Sequence, residues 1–318
     1  MYYIGIDLGG TNIAAGVCNE NYEIIATASA KTNCPRPCEE ICADMAKVAQ
    51  EAVKKVGLTM DQIESIGIGA PGSVNPETRV IEFANNLDFY DAPIGELMKR
   101  FTGKEIYLEN DANAAAYGEA VAGAAKGTRN SVMITLGTGV GGGVIIDGKL
   151  FSGFNYFGAE LGHTVIVHHG RHCSCGRDGC WEAYASATAL IHQTKIAMIN
   201  HPESAMWEIV GGDIAKVNGR TAFDAMRKQD PAGTEVVDTY IDYIACGVAD
   251  MINIFQPEVL SIGGGISHEG ERLLAPIRDY VSKVSYSRYT DKQPKIVAAQ
   301  LGNDAGIIGA AFLGLSKK

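Results

Sequence analysis

Asp7-Leu8-Gly9-Gly10-Thr11 stands between two apolar runs, Ile4-Gly5-Ile6 before it and Ile13-Ala14-Ala15-Gly16-Val17 after it. An apolar run, a glycine pair and a second apolar run predict a tight β-hairpin. Two adjacent glycines put no Cβ between the main chain and a ligand, so their N–H groups can close on an anion, and the Thr11 hydroxyl adds a donor. A nucleotide phosphate is the natural anion. Asp7, at the end of the first strand, is then placed to hold Mg²⁺ directly or through its waters. Taken alone, an ordinary glycine-rich turn accounts for the stretch equally well.

The pattern returns once. Leu136-Gly137-Thr138-Gly139-Val140-Gly141-Gly142-Gly143 lies between Val132-Met133-Ile134 and Val144-Ile145-Ile146. Each half of the chain thus offers one phosphate hairpin, as expected of two similar α/β lobes that share one nucleotide. Gly137, Gly139 and Gly142 also satisfy G-x-G-x-x-G, as do Gly67, Gly69 and Gly72. That dinucleotide fingerprint requires a helix opening at the last glycine. A strand and an Asp147-Gly148 turn follow the first set, and Asn75-Pro76 follows the second, so neither context supports it.

With 318 residues, 46% of them hydrophobic, the chain has material for one or two cores, and two lobes is the expectation. The net charge of −10 and the lack of a basic run argue against a nucleic-acid surface. The first strand begins by Tyr2, no apolar segment reaches the ~18 residues of a membrane span, and a cytoplasmic protein is expected. The eight cysteines are then thiols or metal ligands rather than disulfides.

Further along, an antiparallel start over 2–30 gives way to a helix over 39–56, a buried strand over 63–69 and a Gly/Pro/Asn-rich loop from Pro71 to Asp91 that holds Asn85 and Asn86. A strand over 105–108 runs into Glu109-Asn110-Asp111-Ala112-Asn113 and an Ala-rich helix. Helix capping explains an Asp or Asn at such a junction. Three acid or amide side chains in four residues exceed what one cap requires, and Asp111 suits a general base that accepts a hydroxyl proton.

His163-x9-Cys173-x-Cys175-x4-Cys180 supplies one imidazole and three thiolates, the donor set of a closed tetrahedral zinc site, with Gly176 and Gly179 allowing the turn. Four protein ligands leave no open position, so the metal reads as structural. Cys34, Cys38 and Cys42, spaced four apart, lack nearby histidines and read as free thiols, giving one zinc per chain. Helices are expected over 181–200, 223–226, 236–255, 270–283 and 304–315. The strand at 259–262 runs into Gly263-Gly264-Gly265, a third candidate nucleotide contact.

With these features assembled in this order, the whole chain resembles the ROK family of sugar kinases and sugar-responsive repressors, most closely its bacterial glucokinases. The stretch from Gly170-Arg171-His172-Cys173 to Cys180-Trp181-Glu182 matches that family's zinc signature without a gap. A repressor's added N-terminal DNA-binding segment is not expected, since the first hairpin starts within ten residues of Met1. The resemblance implies an actin/hexokinase-like (ribonuclease H-like) α/β fold of two lobes, here residues 1–116 plus 302–318 and residues 117–301, with the zinc loop and second hairpin in the latter. It implies ATP-dependent phosphorylation of a hexose at the 6-hydroxyl, glucose first, with fructose, mannose, N-acetylmannosamine, N-acetylglucosamine or a non-catalytic sugar sensor as alternatives. Asp111 would be the base. Asn86, Asn110, Glu160, His163 and Glu182 would bind sugar hydroxyls, with His163 also a zinc ligand. Asp7, Gly9, Gly10, Thr11, Gly137, Thr138, Gly139, Gly264 and Gly265 would hold ATP with Mg²⁺, in a homo-oligomer, dimer or tetramer.

Overall fold

A computed structural model describes residues 1–316. In chain order it begins β1 (Tyr2–Leu8), β2 (Asn12–Asn19), β3 (Ile24–Lys31), α1 (Cys38–Lys55), β4 (Ile63–Ala70), β5 (Ser73–Asn75), β6 (Val80–Ala84), β7 (Phe89–Ala92), α2 (Ile94–Thr102), β8 (Glu105–Asn110) and α3 (Asp111–Val121). It continues β9 (Ser131–Leu136), β10 (Val140–Ile146), β11 (Lys149–Phe151), α4 (Glu182–Ala185), α5 (Ala187–Asn200), α6 (Ala205–Ile209), α7 (Thr221–Arg227), α8 (Pro231–Phe255), β12 (Val259–Gly263), α9 (Glu271–Val284), β13 (Lys295–Ala298), α10 (Asp304–Ala311) and α11 (Leu313–Ser316).

The two five-stranded sheets repeat one order, β3-β2-β1-β4-β8 and β11-β10-β9-β12-β13. In the first, β1 pairs antiparallel with β2 and parallel with β4, and β4 pairs parallel with β8. In the second, β10 pairs antiparallel with β11 and β12 parallel with β13. The repeat seen in the glycine hairpins is therefore a repeat of whole sheets.

By contact density, residues Met1–Met133, Gly142–Ala159 and 299–316 form one unit, and Ile134–Gly141 with Glu160–Ala298 the other. Residue 116 lies inside α3, which continues to Val121. The buried Glu119 carboxylate near that end accepts N–H groups from Ala124, Gln300 and Leu301, which keeps α3 with residues 299–316.

In the first unit, strand alternation sorts side chains between two different kinds of packing. Ile4, Ile6 and Leu8 of β1, with Ile66 and Ile68 of β4, are fully buried in one cluster with Ile41, Met45 and Ala49 of α1. Burying each such aliphatic side chain contributes roughly 1.5–3 kcal/mol. On the other face the strands carry glycines, and α10 lies directly on them. A Cβ on Gly5 would stand 1.8 Å from the Ile307 carbonyl oxygen, and one on Gly67 1.7 Å from that of Ala310. The same helix meets α3 through Gly309, where a Cβ would come within 1.7 Å of the Ala114 carbonyl.

The structure departs from expectation in three stretches, one of them the tail, where the helix expected over 304–315 is interrupted at Phe312 between α10 and α11. Residues 71–91 are not a loop but carry β5, β6 and β7, a three-stranded antiparallel sheet of very short strands. The helix expected over 181–200 breaks at Ser186, whose hydroxyl caps α5 by accepting the Ala189 N–H at 3.0 Å.

Gly67→Ala is expected to cost at least about 2 kcal/mol, since the backbone of α10 rather than a flexible side chain must move. Urea unfolding would check this, and a loss under about half a kcal/mol would contradict the close seating of α10.

Candidate functional site

The first unit gathers Asp7, Gly9, Gly10, Thr11, Asn86, Asn110 and Asp111. β1 and β2 form the expected hairpin, in register from Leu8 against Ile13, with the Gly9 N–H bonded to the Asn12 carbonyl at 2.9 Å. Gly10 and Thr11 have no backbone partner for their N–H groups among the described residues, as an anion cradle requires. Gly10 lies against Asn86: a Cβ there would stand 3.1 Å from the Asn86 carbonyl oxygen. Asn86 itself is exposed.

The junction of β8 and α3 separates capping from chemistry. Asn110 is the N-cap, its Oδ1 accepting the N–H groups of Ala112 at 2.9 Å and Asn113 at 3.3 Å, while its Nδ2 donates to the Gly72 carbonyl at 3.2 Å. Asp111 is thereby spared the cap. Asp111 as a whole residue is exposed, and its carboxylate accepts a hydrogen bond from the Ala112 N–H at 2.8 Å. Protein packed around that carboxyl pushes its pKa up, and the Ala112 N–H opposes the rise. Asp7 is raised further, to about 6, first by burial and then by repulsion from Asp111. Two carboxylates within Coulombic reach, at the ends of parallel strands, are where a divalent cation is welcome. Asp7 also lines a cavity of about 550 Å³ with Asn12 and Asp304.

The second unit gathers Gly137–Gly139, Glu160, His163, the three loop cysteines, Glu182, Gly264 and Gly265. The hairpin closes by the Gly137 N–H on the Gly139 carbonyl at 3.0 Å, leaving the N–H groups of Thr138 and Gly139 without backbone partners among the described residues. Gly264, at φ 85°, passes so near this hairpin that a Cβ would lie 2.4 Å from the Leu136 carbonyl oxygen. Residues 265–269 then form a 3₁₀ turn, and α9 follows from Glu271, within a residue of the expected start.

Beside Gly137, Thr138 and Gly265 lies a cavity of about 960 Å³, lined further by Asn218, Arg220 and His268. Sequence reasoning missed these three. The Asn218-Gly219-Arg220 turn before α7 was the available signal. Its distance in sequence from either hairpin concealed its place.

His163, Cys173, Cys175 and Cys180 offer four ligand atoms that all lie within 4.8 Å of one another. His163 Nδ1 stands 3.7 Å from Cys173 Sγ, and Cys175 Sγ stands 3.6 Å from Cys180 Sγ. A tetrahedron with Zn–S bonds of about 2.3 Å has edges near 3.8 Å, so these two separations are of the size that a tetrahedral zinc site requires. Gly176 and Gly179 turn the loop at φ 88° and 87°.

The loop's far end is anchored by the fully buried Trp181. Its ring lies on Gly247 of α8, and its Nε1 donates to the Tyr243 carbonyl at 2.8 Å. Glu182 follows at once. One carboxylate oxygen accepts the Val140 N–H of the second hairpin at 3.0 Å, and the other stands 3.8 Å from Cys173 Sγ. Glu160 is exposed at the start of the 3₁₀ turn that carries His163.

The profile of the ROK family matches residues 3–317, and the chain belongs to the ROK family. It is 39% identical over 312 residues to a glucokinase of Streptomyces coelicolor, covering 98% of this chain and 96% of that one. To a glucokinase of Thermotoga maritima it is 37% identical over 315 residues, again covering 98% and 96%. The structure of a ROK glucokinase from Streptomyces griseus in complex with glucose and AMPPNP superposes with a TM-score of 0.81 at 36% identity, over 98% of this chain and 99% of that one.

The raised Asp7 carboxyl carries a sign for stability. Its folded pKa of about 6 lies above the unfolded value of about 3.9, so its contribution is fully favourable below the latter and is lost as pH rises through the former. Asp7→Asn is therefore expected to stabilise the protein at neutral pH by ~1–3 kcal/mol in Mg²⁺-free buffer, and to have little effect near pH 4. Urea unfolding at both pH values tests this, and an equal effect at the two would refute it.

Proposed function

We propose that this chain transfers the γ-phosphoryl group of ATP to the 6-hydroxyl of glucose. The observation that carries the reading is the division of labour at the start of α3, where Asn110 takes the helix cap and leaves the Asp111 carboxylate open to a substrate. The glucokinase relatives, alike over nearly their whole length, favour glucose among hexoses.

Phosphoryl transfer asks little covalent chemistry of a protein and much positioning. Asp111 orients the attacking hydroxyl and takes its proton. The free N–H groups of Gly10 and Thr11 in one hairpin, and of Thr138 and Gly139 in the other, bind phosphate oxygens where charge gathers during transfer. The cavity beside Gly137 and Gly265 takes the nucleoside. Mg²⁺, when bound by Asp7 directly or through water, spreads the charge of the phosphates. Asn86, Glu160 and the ring of His163 turned away from the thiolates bind sugar hydroxyls. Asn110 and Glu182 bind sugar hydroxyls as well.

Zinc held by His163, Cys173, Cys175 and Cys180 is structural: it fixes the His163 ring and the loop leading to Glu182. Such a thiolate cluster suits a reducing, cytoplasmic compartment.

A kinase assay with glucose, fructose, mannose, N-acetylmannosamine and N-acetylglucosamine tests the reading, with glucose expected to give the highest kcat/KM. Asp111→Ala should lower kcat by ~10²–10⁴ while glucose and ATP still bind, because that is the worth of a general base. Retention of more than about a tenth of kcat would remove Asp111 from that role. Metal analysis should find one zinc per chain. Cys175→Ala should lose it and raise KM for glucose with little change in ATP affinity; a folded, zinc-free variant that binds glucose normally would separate the metal from the sugar site.

A further inference from the structure

Cys34, Cys38 and Cys42 play no part in the chemistry above, yet two of them are brought together. Cys38 is the first residue of α1, Cys42 lies one turn on, and their Sγ atoms stand 4.0 Å apart. Cys42 is fully buried. Cys38 is half-buried and lines a cavity of about 400 Å³ with Arg36, Tyr90 and Asp91, so a small solute can reach it.

We propose that Cys38 and Cys42 form an oxidisable thiol pair, attacked by hydroperoxide at Cys38 and closed by Cys42, whose disulfide loosens the first phosphate hairpin. Two features favour Cys38 as the sulfur attacked. A thiolate at the first residue of an 18-residue helix is stabilised by free N–H groups and the helix dipole. The neighbouring Cys42 sulfur also holds the Cys38 thiol below the ordinary range, while Cys42 itself is pushed up. Burial and then the Glu39 carboxylate oppose this lowering.

The steps balance. Cys38 sulfur attacks one oxygen of the hydroperoxide, the O–O bond breaks, an alcohol (or water, from hydrogen peroxide) leaves, and Cys38 becomes a sulfenic acid. The Cys42 thiol then attacks that sulfur, water leaves with its proton, and the S–S bond forms. Two thiols are oxidised and one peroxide is reduced.

The path to the hairpin is short and hydrogen-bonded. Closing the sulfurs from 4.0 Å to the roughly 2.05 Å of a disulfide distorts the first turn of α1, where Glu40 and Ile41 N–H groups bond to Pro37. Pro37 follows Arg36, whose Nε donates to the Thr32 carbonyl at 2.9 Å. Thr32, fully buried, holds the hairpin at two points: its hydroxyl donates to the Gly9 carbonyl at 2.6 Å and its N–H to the Thr11 carbonyl at 3.0 Å. Distortion at Cys38 therefore reaches the phosphate cradle through one strap, residues 32–37.

The test treats the reduced, zinc-loaded protein with equimolar hydrogen peroxide, blocks remaining thiols with N-ethylmaleimide and maps peptides by mass spectrometry. The stretch between Lys31 and Lys47 holds all three cysteines. The expected product is that peptide lighter by two hydrogens, linked Cys38 to Cys42 and restored by dithiothreitol. Cys42→Ser should stop at a sulfenic acid on Cys38 that dimedone traps. Because Cys42 is buried and its variant can fail to fold, Cys38→Ser serves as the second variant and should leave the other two thiols unreacted. A Cys34–Cys38 link, or all three thiols left free, overturns the pair.

The coupling rests on the reading that the hairpin binds ATP. Calorimetry on oxidised protein that retains its zinc should show ATP affinity weakened by about fivefold or more. Unchanged affinity overturns the coupling. Failure of the reduced protein to bind ATP would refute the ATP reading instead, with the thiol chemistry decided by the peptide map alone.

Discussion

The first unit depends on backbone-to-backbone packing of α10 against β1, β4 and α3. Glycines at positions 5, 67, 118 and 309 let main chains meet where any side chain would hold them apart. This close seating does more than fill space. Asp7 is the next-to-last residue of β1, α3 begins with Asp111, and both elements are pressed on the same helix. The separation of the two carboxylates is thus set by main-chain contact rather than by side chains that can repack. Rigid support of this kind is what positioning chemistry requires, because a displacement of about 1 Å can cost ~10²-fold in rate.

That geometry is electrostatically unfavourable in the absence of ligand. Asp7 and Asp111 repel, and each sits where protein has displaced water. The fold accepts this because its stability comes from elsewhere, chiefly the aliphatic cluster between α1 and the other face of the sheet. The strain has a direction: whatever brings positive charge to Asp7 relieves it. A site that is less stable empty than filled converts part of its ligand's binding energy into relief of repulsion.

Much of this was legible in the sequence because the decisive features are local. Gly9-Gly10-Thr11 and Gly137-Thr138-Gly139 read as hairpin turns from their own residues, and the His163/Cys173/Cys175/Cys180 set read as one cluster from type and spacing. What was not legible depended on contacts far apart in sequence. β5 to β7 are three to five residues long, so the Pro71, Gly72 and Pro76 beside them outweighed any alternation, and only pairing reveals them as strands. The break at Ser186 is a cap in an otherwise helical pattern. Asn218 and Arg220 gain meaning only from the hairpin some eighty residues earlier, across their shared cavity. At Asn110-Asp111 the residue types allowed either side chain to cap; the hydrogen bonds assign that task to Asn110.

The second unit solves the positioning problem differently, with one side chain in place of a glycine seam. Glu182 grips the Val140 N–H of the phosphate hairpin with one oxygen and faces Cys173 with the other. Directly before it, Trp181 is locked onto α8. Zinc loop, helix and hairpin therefore meet at two consecutive residues. Neither α4, only four residues long, nor the loop before it is long enough to hold itself in place. The contact of Glu182 with Cys173 on one side and the buried indole on the other do so instead. A carboxylate whose position is fixed from both sides holds the hairpin in register without spending the N–H groups of Thr138 and Gly139, which stay open to a phosphate. The Cys/His cluster and the second glycine hairpin, separate motifs in the sequence, are joined in the fold through Trp181 and Glu182.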